Sequence, residues 1–145
     1  MSRDRDTPLI LLVEDSADDE ALTLRALSRS GVASDVEVVR DGAEALDYLI
    51  GEGCEERRLP ALVLLDLKLP RIDGLEVLRR LREHERTTLM PIVILTTSHE
   101  DRDRLDGYRL RVNSYIRKPV DFSQFAEAIR QLGLYWLVIN EPPPS

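Results

Sequence analysis

Four apolar runs in this 145-residue chain lead into residues that can carry charge or a hydroxyl. Glu14 and Asp15 follow Leu9 to Val13, Asp66 closes Ala61 to Leu65, Thr96 and Thr97 follow Ile92 to Leu95, and Lys118 with Pro119 follows Tyr115 and Ile116. An aspartate at the end of a buried strand needs partners, because an unpaired charge there is costly to desolvate. Gathered together, these ends would supply an acid pair, a lone acid, a hydroxyl and an ammonium, the parts that hold a divalent cation and a phosphoryl group. Three carboxylates repel one another by roughly 4 kcal/mol per pair at about 4 Å and an effective dielectric near 20, so a cation belongs to such a site. Carboxylate oxygens with several waters suit Mg²⁺, with Mn²⁺ or Ca²⁺ as substitutes. Lys118 is expected to add a second positive charge on the opposite side of Asp66. Asp66 could then attack phosphorus and form an aspartyl phosphate, with positive charge and positioning supplying most of the catalysis. The Thr96 hydroxyl would meet one phosphoryl oxygen, and its movement would let Tyr115 swing inward.

The elements that must position these residues alternate along the chain. Leu9 to Val13, Val36 to Val39, Ala61 to Leu65, Pro91 to Leu95 and Ser114 to Ile116 read as strands, mostly apolar without alternation, as a parallel sheet covered on both faces requires. The first helix starts near Ser16, with Asp19 in a capping-box position, ends before Gly31 and buries Ala21, Leu24 and Leu27. Helices follow from Gly42 to Ile50, from Gly74 to about His84 with Leu75, Leu78 and Leu81 inward, and from Asp101 to about Leu110 with little apolar content. A fifth begins at Asp121, with Phe122, Phe125, Ile129 and Leu132 at helical spacing. The pattern predicts an α/β fold, a doubly wound (βα)5 sandwich of flavodoxin-like strand order 2-1-3-4-5. Ligands of such sheets bind outside the carboxyl ends of the strands, where every reactive candidate lies.

Composition narrows the setting. A chain of this length with 43% hydrophobic residues fits one domain and can build a core without staples. Cys54 is the single cysteine, so no disulfide forms within the chain, and no stretch approaches the roughly 20 apolar residues of a membrane span. A formal charge of -7 argues against broad attraction to nucleic acid. The charged start from Met1 to Pro8 lacks an apolar signal region and is expected to be flexible, which predicts a cytoplasmic protein with no membrane contact. Gly51 to Pro60 reads as a polar surface loop, with Arg57 and Arg58 as its solvated edge and Cys54 incidental.

The set Glu14-Asp15, Asp66, Thr96 and Lys118-Pro119 resembles the receiver domain of two-component response regulators. Thr96 lies thirty residues beyond Asp66 and Lys118 another twenty-two, the spacing usual in that family. Leu12-Val13-Glu14-Asp15, Leu65 to Pro70 with Asp73-Gly74, and Leu95-Thr96-Thr97 look like its signature segments, and the likeness covers about Leu9 to Leu132. It implies Asp66 as phosphoacceptor and Glu14, Asp15, Asp66 and the Lys68 backbone carbonyl around the metal. It further implies Thr96, Thr97, Lys118 and Tyr115 as phosphate-binding and switch residues, Lys68 and Ser98 flanking the phosphoryl group, and a cis bond between Lys118 and Pro119. The long Gly51 to Pro60 connection, the Leu-Thr-Thr-Ser sequence ending at Ser98 and the aromatic-rich carboxyl end are similar to single-domain regulators beside phytochrome-type histidine kinases. A receiver unit over 9–133 and an apolar extension over 134–145 with a proline-rich end are expected. That tail is expected to be too short for a DNA-binding or catalytic module.

The implied function is acceptance of a phosphoryl group from a sensor histidine kinase, here one of bacteriophytochrome type, with output through partners or a phosphorelay. The protein would catalyse only its own phosphorylation and dephosphorylation. An aspartate-nucleophile phosphohydrolase would use the same covalent chemistry, but Lys68 stands where a second acid is needed. A flavodoxin-like cofactor binder conflicts with acidic loops, and a degenerate scaffold conflicts with a full set of phosphorylation residues. The run Leu134, Tyr135, Trp136, Leu137, Val138 and Ile139 either folds onto its own core or covers a second subunit, and a homodimer through it is expected.

Overall fold

The computed structural model describes residues 7–31, 33–96, 101–118, 122–141 and 143–144. The expected roles of Thr97, Ser98 and Pro119, the helix start at Asp121, the side-chain roles of Phe122, Phe125, Leu134 and Val138, and the flexibility of residues 1–6 fall outside the described residues. Strands β1 (Leu9–Val13), β2 (Asp35–Val39), β3 (Leu62–Leu65), β4 (Ile92–Thr96) and β5 (Ser114–Arg117) alternate with helices α1 (Ala17–Arg29), α2 (Gly42–Ile50), α3 (Gly74–Glu83), α4 (Asp101–Arg109) and α5 (Phe122–Leu134). All strand pairings are parallel, in the order β2-β1-β3-β4-β5, so the expected doubly wound sheet is present.

Period-two alternation along apolar strands divides the core into two layers. Leu11, Val13, Val63, Leu65, Ile92 and Ile94 pack toward α2 and α3, whereas Ile10, Leu12, Leu62, Leu64, Val93 and Leu95 pack toward α1 and α5. Each such side chain contributes about 1.5–3 kcal/mol by leaving water. The central strands are therefore held from both faces, and their carboxyl ends stay in register.

Several local readings differ from expectation. Ala21 is exposed, and the buried residues of α1 are Thr23, Ala26 and Leu27. At about 3.6 residues per turn, Ala21 lies roughly a third of a turn away from Leu27 and cannot share its face. The 51–60 connection is anchored rather than solvated. Cys54 is buried within a short 3-10 turn over Cys54–Glu56, and Arg57 donates to the carbonyls of Asp47 and Tyr48. Arg58 donates to Thr7 O and pairs with Asp35 at 2.8 Å. Helix α4 overcomes its thin apolar content through Gly107, where a Cβ would stand 3.0 Å from Ile94 Cδ1 and 3.7 Å from Tyr115 Cδ2.

Beyond Leu134 the chain does not leave the helix but continues as a π-helical turn over Tyr135–Ile139, closed by Asn140 N donating to Tyr135 O at 2.6 Å. Trp136 and Leu137 hold it there by packing on the α1/α5 layer, while Tyr135 and Ile139 stay exposed. Trp136 and Leu137 also line an apolar cleft of about 640 Å³ with Pro8, Leu59, Leu89 and Pro91, near the amino ends of the strands.

Arg82 is not among the residues that the sequence singles out. It is buried near the end of α3, and its guanidinium donates to the carbonyls of Leu110 (3.0 Å), Thr88 (3.1 Å), Met90 (2.8 Å) and Arg111 (2.9 Å). Arg111 adopts a left-handed φ of 62°, which aims its carbonyl at that group. The loops that enter β4 and β5 are thereby tied to one cation. Burial and the neighbouring Arg111 push the Arg82 guanidinium down to about 10.

Candidate active site

The parallel ladder fixes where the reactive side chains emerge. Glu14 N donates to Val39 O and Asp66 N to Val13 O, so both acids continue their strands by one rung. Thr96 is the last residue of β4, fully buried, and its carbonyl accepts from Lys118 N at 2.6 Å. The loop after β3 turns back through Gly74 N donating to Leu67 O at 2.9 Å. A Cβ on Gly74 would collide with the Asp66 carbonyl oxygen and stand 2.6 Å from Leu67 Cα. Glycine at this helix start lets α3 press against the backbone that carries Asp66.

Glu14, Asp15 and Asp66 each offer a carboxylate oxygen within 4.8 Å of the others. Glu14 and Asp66 are buried and Asp15 is open to solvent. Lys118, only 4% exposed, meets this group from β5. Its Nζ stands 2.6 Å from Glu14 Oε1, 3.0 Å from Asp19 Oδ2 and 3.6 Å from Asp66 Oδ2. The ammonium thus sits against Glu14 and Asp19 rather than only across Asp66 from the acid pair, because Glu14 is the most buried of the acids and has the strongest need of a counter-charge.

Electrostatics follow from this crowding. Burial pushes the Glu14 carboxyl up to about 7; the hydrogen bond from Lys118 opposes the rise and nearby Asp66 adds to it. For Lys118, burial disfavours the charged form, but Glu14, Asp66 and Asp19 outweigh it and hold the ammonium above its ordinary range. Three oxygen donors of net negative charge, one open to water, fit a hard divalent cation.

The remaining expected residues are placed unequally. Lys68 is exposed, and its backbone N–H donates to Asp66 Oδ1 at 3.1 Å, which fixes the carboxylate's rotation. Tyr115 is half-buried against the layer that holds α2 and α3, beside Gly107 of α4. Asp19 was expected only as a capping residue, yet it joins the site. A first-turn acid four residues after Asp15, roughly one helical turn on, was the available signal.

The Response regulator receiver domain, as a family sequence profile, matches residues 10–130. The chain belongs to the response-regulator receiver family. This receiver is 43% identical over 135 residues to the probable methanogenesis regulatory protein FilR2 of Methanothrix harundinacea, covering 93% of this chain and 87% of that one. It superposes on the phosphorylated cyanobacterial phytochrome response regulator RcpA with a TM-score of 0.87 at 38% identity, covering 95% of this chain and 99% of RcpA. The bacteriophytochrome response regulator RtBRR is 52% identical, with a TM-score of 0.75 over 95% of this chain and 85% of RtBRR. Among the described residues, no helix is long and apolar enough to cross a membrane.

Proposed function

We propose that this receiver takes a phosphoryl group from the phosphohistidine of a sensor kinase onto Asp66. A carboxylate oxygen of Asp66 attacks phosphorus as the histidine N–P bond breaks, and the imidazole departs with the bonding electrons. The observation that carries this reading is the convergence of Glu14, Asp15 and Lys118 on Asp66 at the strand ends. Phosphoryl transfer spreads charge over the equatorial oxygens, and a preplaced cation meets that charge without reorganisation. Lys118 would donate to one oxygen and Thr96 to another, with Tyr115 following the hydroxyl.

Glu14, Asp15, Asp66 and the Lys68 carbonyl would hold Mg²⁺, for which Mn²⁺ or Ca²⁺ could stand in. Bound there, the ion would neutralise charge on the phosphoryl oxygens. A receiver unit over 9–133 with an apolar extension over 134–145, a cytoplasmic setting and no DNA contact complete the reading. Likeness to RcpA and RtBRR supports a phytochrome-type kinase as the donor, and exposed Tyr135 and Ile139 support a homodimer through the 134–139 run. With Lys68 exposed at the position where a phosphohydrolase would need its second acid, the phosphohydrolase alternative is disfavoured.

The test is phosphorylation by acetyl phosphate and by candidate sensor kinases in Mg²⁺. Asp66→Asn should abolish the label, and chelator should stop it; a label that persists on Asp66→Asn would refute the assignment.

A further inference from the structure

Ser16-Ala17-Asp18-Asp19 opens α1 in the pattern of a capping box, and Ser16 Oγ accepts from Asp19 N at 3.3 Å. In a complete box the acid at the third helical position turns its side chain back to the cap residue's N–H. Here that N–H faces Glu14 Oε2 at 3.4 Å, and the Asp19 carboxylate reaches Lys118 Nζ instead. The side chain is diverted from its local duty to a cation ninety-nine residues away in sequence.

The three acids that hold the ammonium are not equivalent. The Glu14 and Asp66 side chains are 1% and 9% exposed, whereas that of Asp19 is 35% exposed. Water can replace Lys118 at Asp19 with little loss, so this is the easiest of the contacts to release. It is also shorter than the contact to Asp66, so the ammonium rests nearer to α1 than to the nucleophile.

We propose that Asp19 is a positioning residue: it parks the Lys118 ammonium at the first turn of α1 before phosphorylation and gives it up when a phosphoryl group arrives on Asp66. The inference rests on the reading of Asp66 as phosphoacceptor. An ammonium has three donors, and the resting arrangement commits two of them to Glu14 and Asp19. The incoming group brings several strong anionic acceptors to the Asp66 side, and the Asp19 contact is the one that yields. A contact present in the ground state and absent in the transition state raises the barrier, so Asp19 slows its own receiver.

The test compares initial phosphorylation rates of the full chain with acetyl phosphate in Mg²⁺, where the Asp66 O–P bond forms as the acetate O–P bond breaks. Asp19→Ala should react about five-fold faster, as expected for loss of one partly exposed charge-assisted contact, and Asp19→Asn should show a smaller gain. Asp19→Glu, which can still reach the lysine, should stay near the wild-type rate. Asp18→Ala removes another acid from the same helical turn and should also leave the rate unchanged, which separates this role from a helix-dipole effect. In a Lys118→Met background, Asp19→Ala should add nothing. An unchanged or slower Asp19→Ala, or a gain that persists without Lys118, would overturn the proposal. Failure of the wild type to label on Asp66 would instead overturn the reading beneath it.

Discussion

Lys118 and Arg82 are both buried cations near opposite ends of the sheet, and their surroundings differ in kind. Lys118 faces three carboxylates at 2.6, 3.0 and 3.6 Å. Arg82 faces the neutral carbonyls of Thr88, Met90, Leu110 and Arg111, and all its acceptors among the described residues are uncharged. Carbonyls satisfy the five rigid N–H donors of a guanidinium but do not cancel its charge, so the arrangement depends on geometry. Acids around a flexible ammonium offer alternative partners of unequal strength, so the cation can leave the weakest-held of them for another. One cation fastens the loops before β4 and β5, and the other is placed to change partners.

That contrast can be broken most severely at Arg82. Arg82→Met should cost about 3–5 kcal/mol, because several buried carbonyls lose their donor at once. Chemical denaturation of the full chain would read this as a lowered midpoint with little change in slope. A loss below about 1 kcal/mol would mean that water replaces the guanidinium without penalty.

A second effect comes from pH in chelator, where no divalent ion compensates the acids. The Glu14 carboxyl rises from about 4.5 to about 7 on folding, so the folded chain holds a proton that the unfolded chain releases. Its stabilising contribution is complete below pH 4.5 and disappears as pH rises to about 7, an effect of up to about 3 kcal/mol. Lys118 stays charged throughout this interval, since its shift is upward from 10.5. Glu14→Gln should flatten the profile; an identical slope in that variant would assign the effect to other groups.

The smallest effect is expected from Lys118→Met, at about 2 kcal/mol in chelator, because Asp19 remains partly wet and Glu14 can keep its proton. Millimolar Mg²⁺ should reverse most of this loss, whereas it should leave Arg82→Met as unstable as before. Equal rescue of both variants would erase the distinction between an exchangeable and a fixed cation.

The sequence and the structure agree most closely where strand ends carry the signal. Apolar runs broken by Glu14, Asp66 and Lys118 announced both the sheet and the acids around its edge, because a buried parallel strand tolerates charge only where it stops. The two cations are unequally visible in the sequence. Lys118 stood out before a proline, whereas Arg82 lay hidden in Leu78-Arg79-Arg80-Leu81-Arg82, where three arginines resemble a solvated face. Its spacing of four from Leu78 did place it on the buried stripe, but only tertiary structure supplies the carbonyls that make such burial tolerable. Asp19 was legible as a cap and not as a site residue, since its diversion depends on a lysine from the far end of the chain. The tail looks separate in sequence because six apolar residues in a row have no helical period of their own, while Trp136 and Leu137 acquire a face only against the finished core.

The left-handed turn at Arg111 sets which replacements this chain can accept there. Glycine or asparagine would take up the same bend without steric objection, and valine or isoleucine would resist it. Substitution by a branched residue would swing one acceptor away from the guanidinium and loosen the entry to the outermost strand. The lysine at the other end of that strand would then lose precision without any change to a residue that touches it, so damage far from the chemistry would present itself as a fault in signalling.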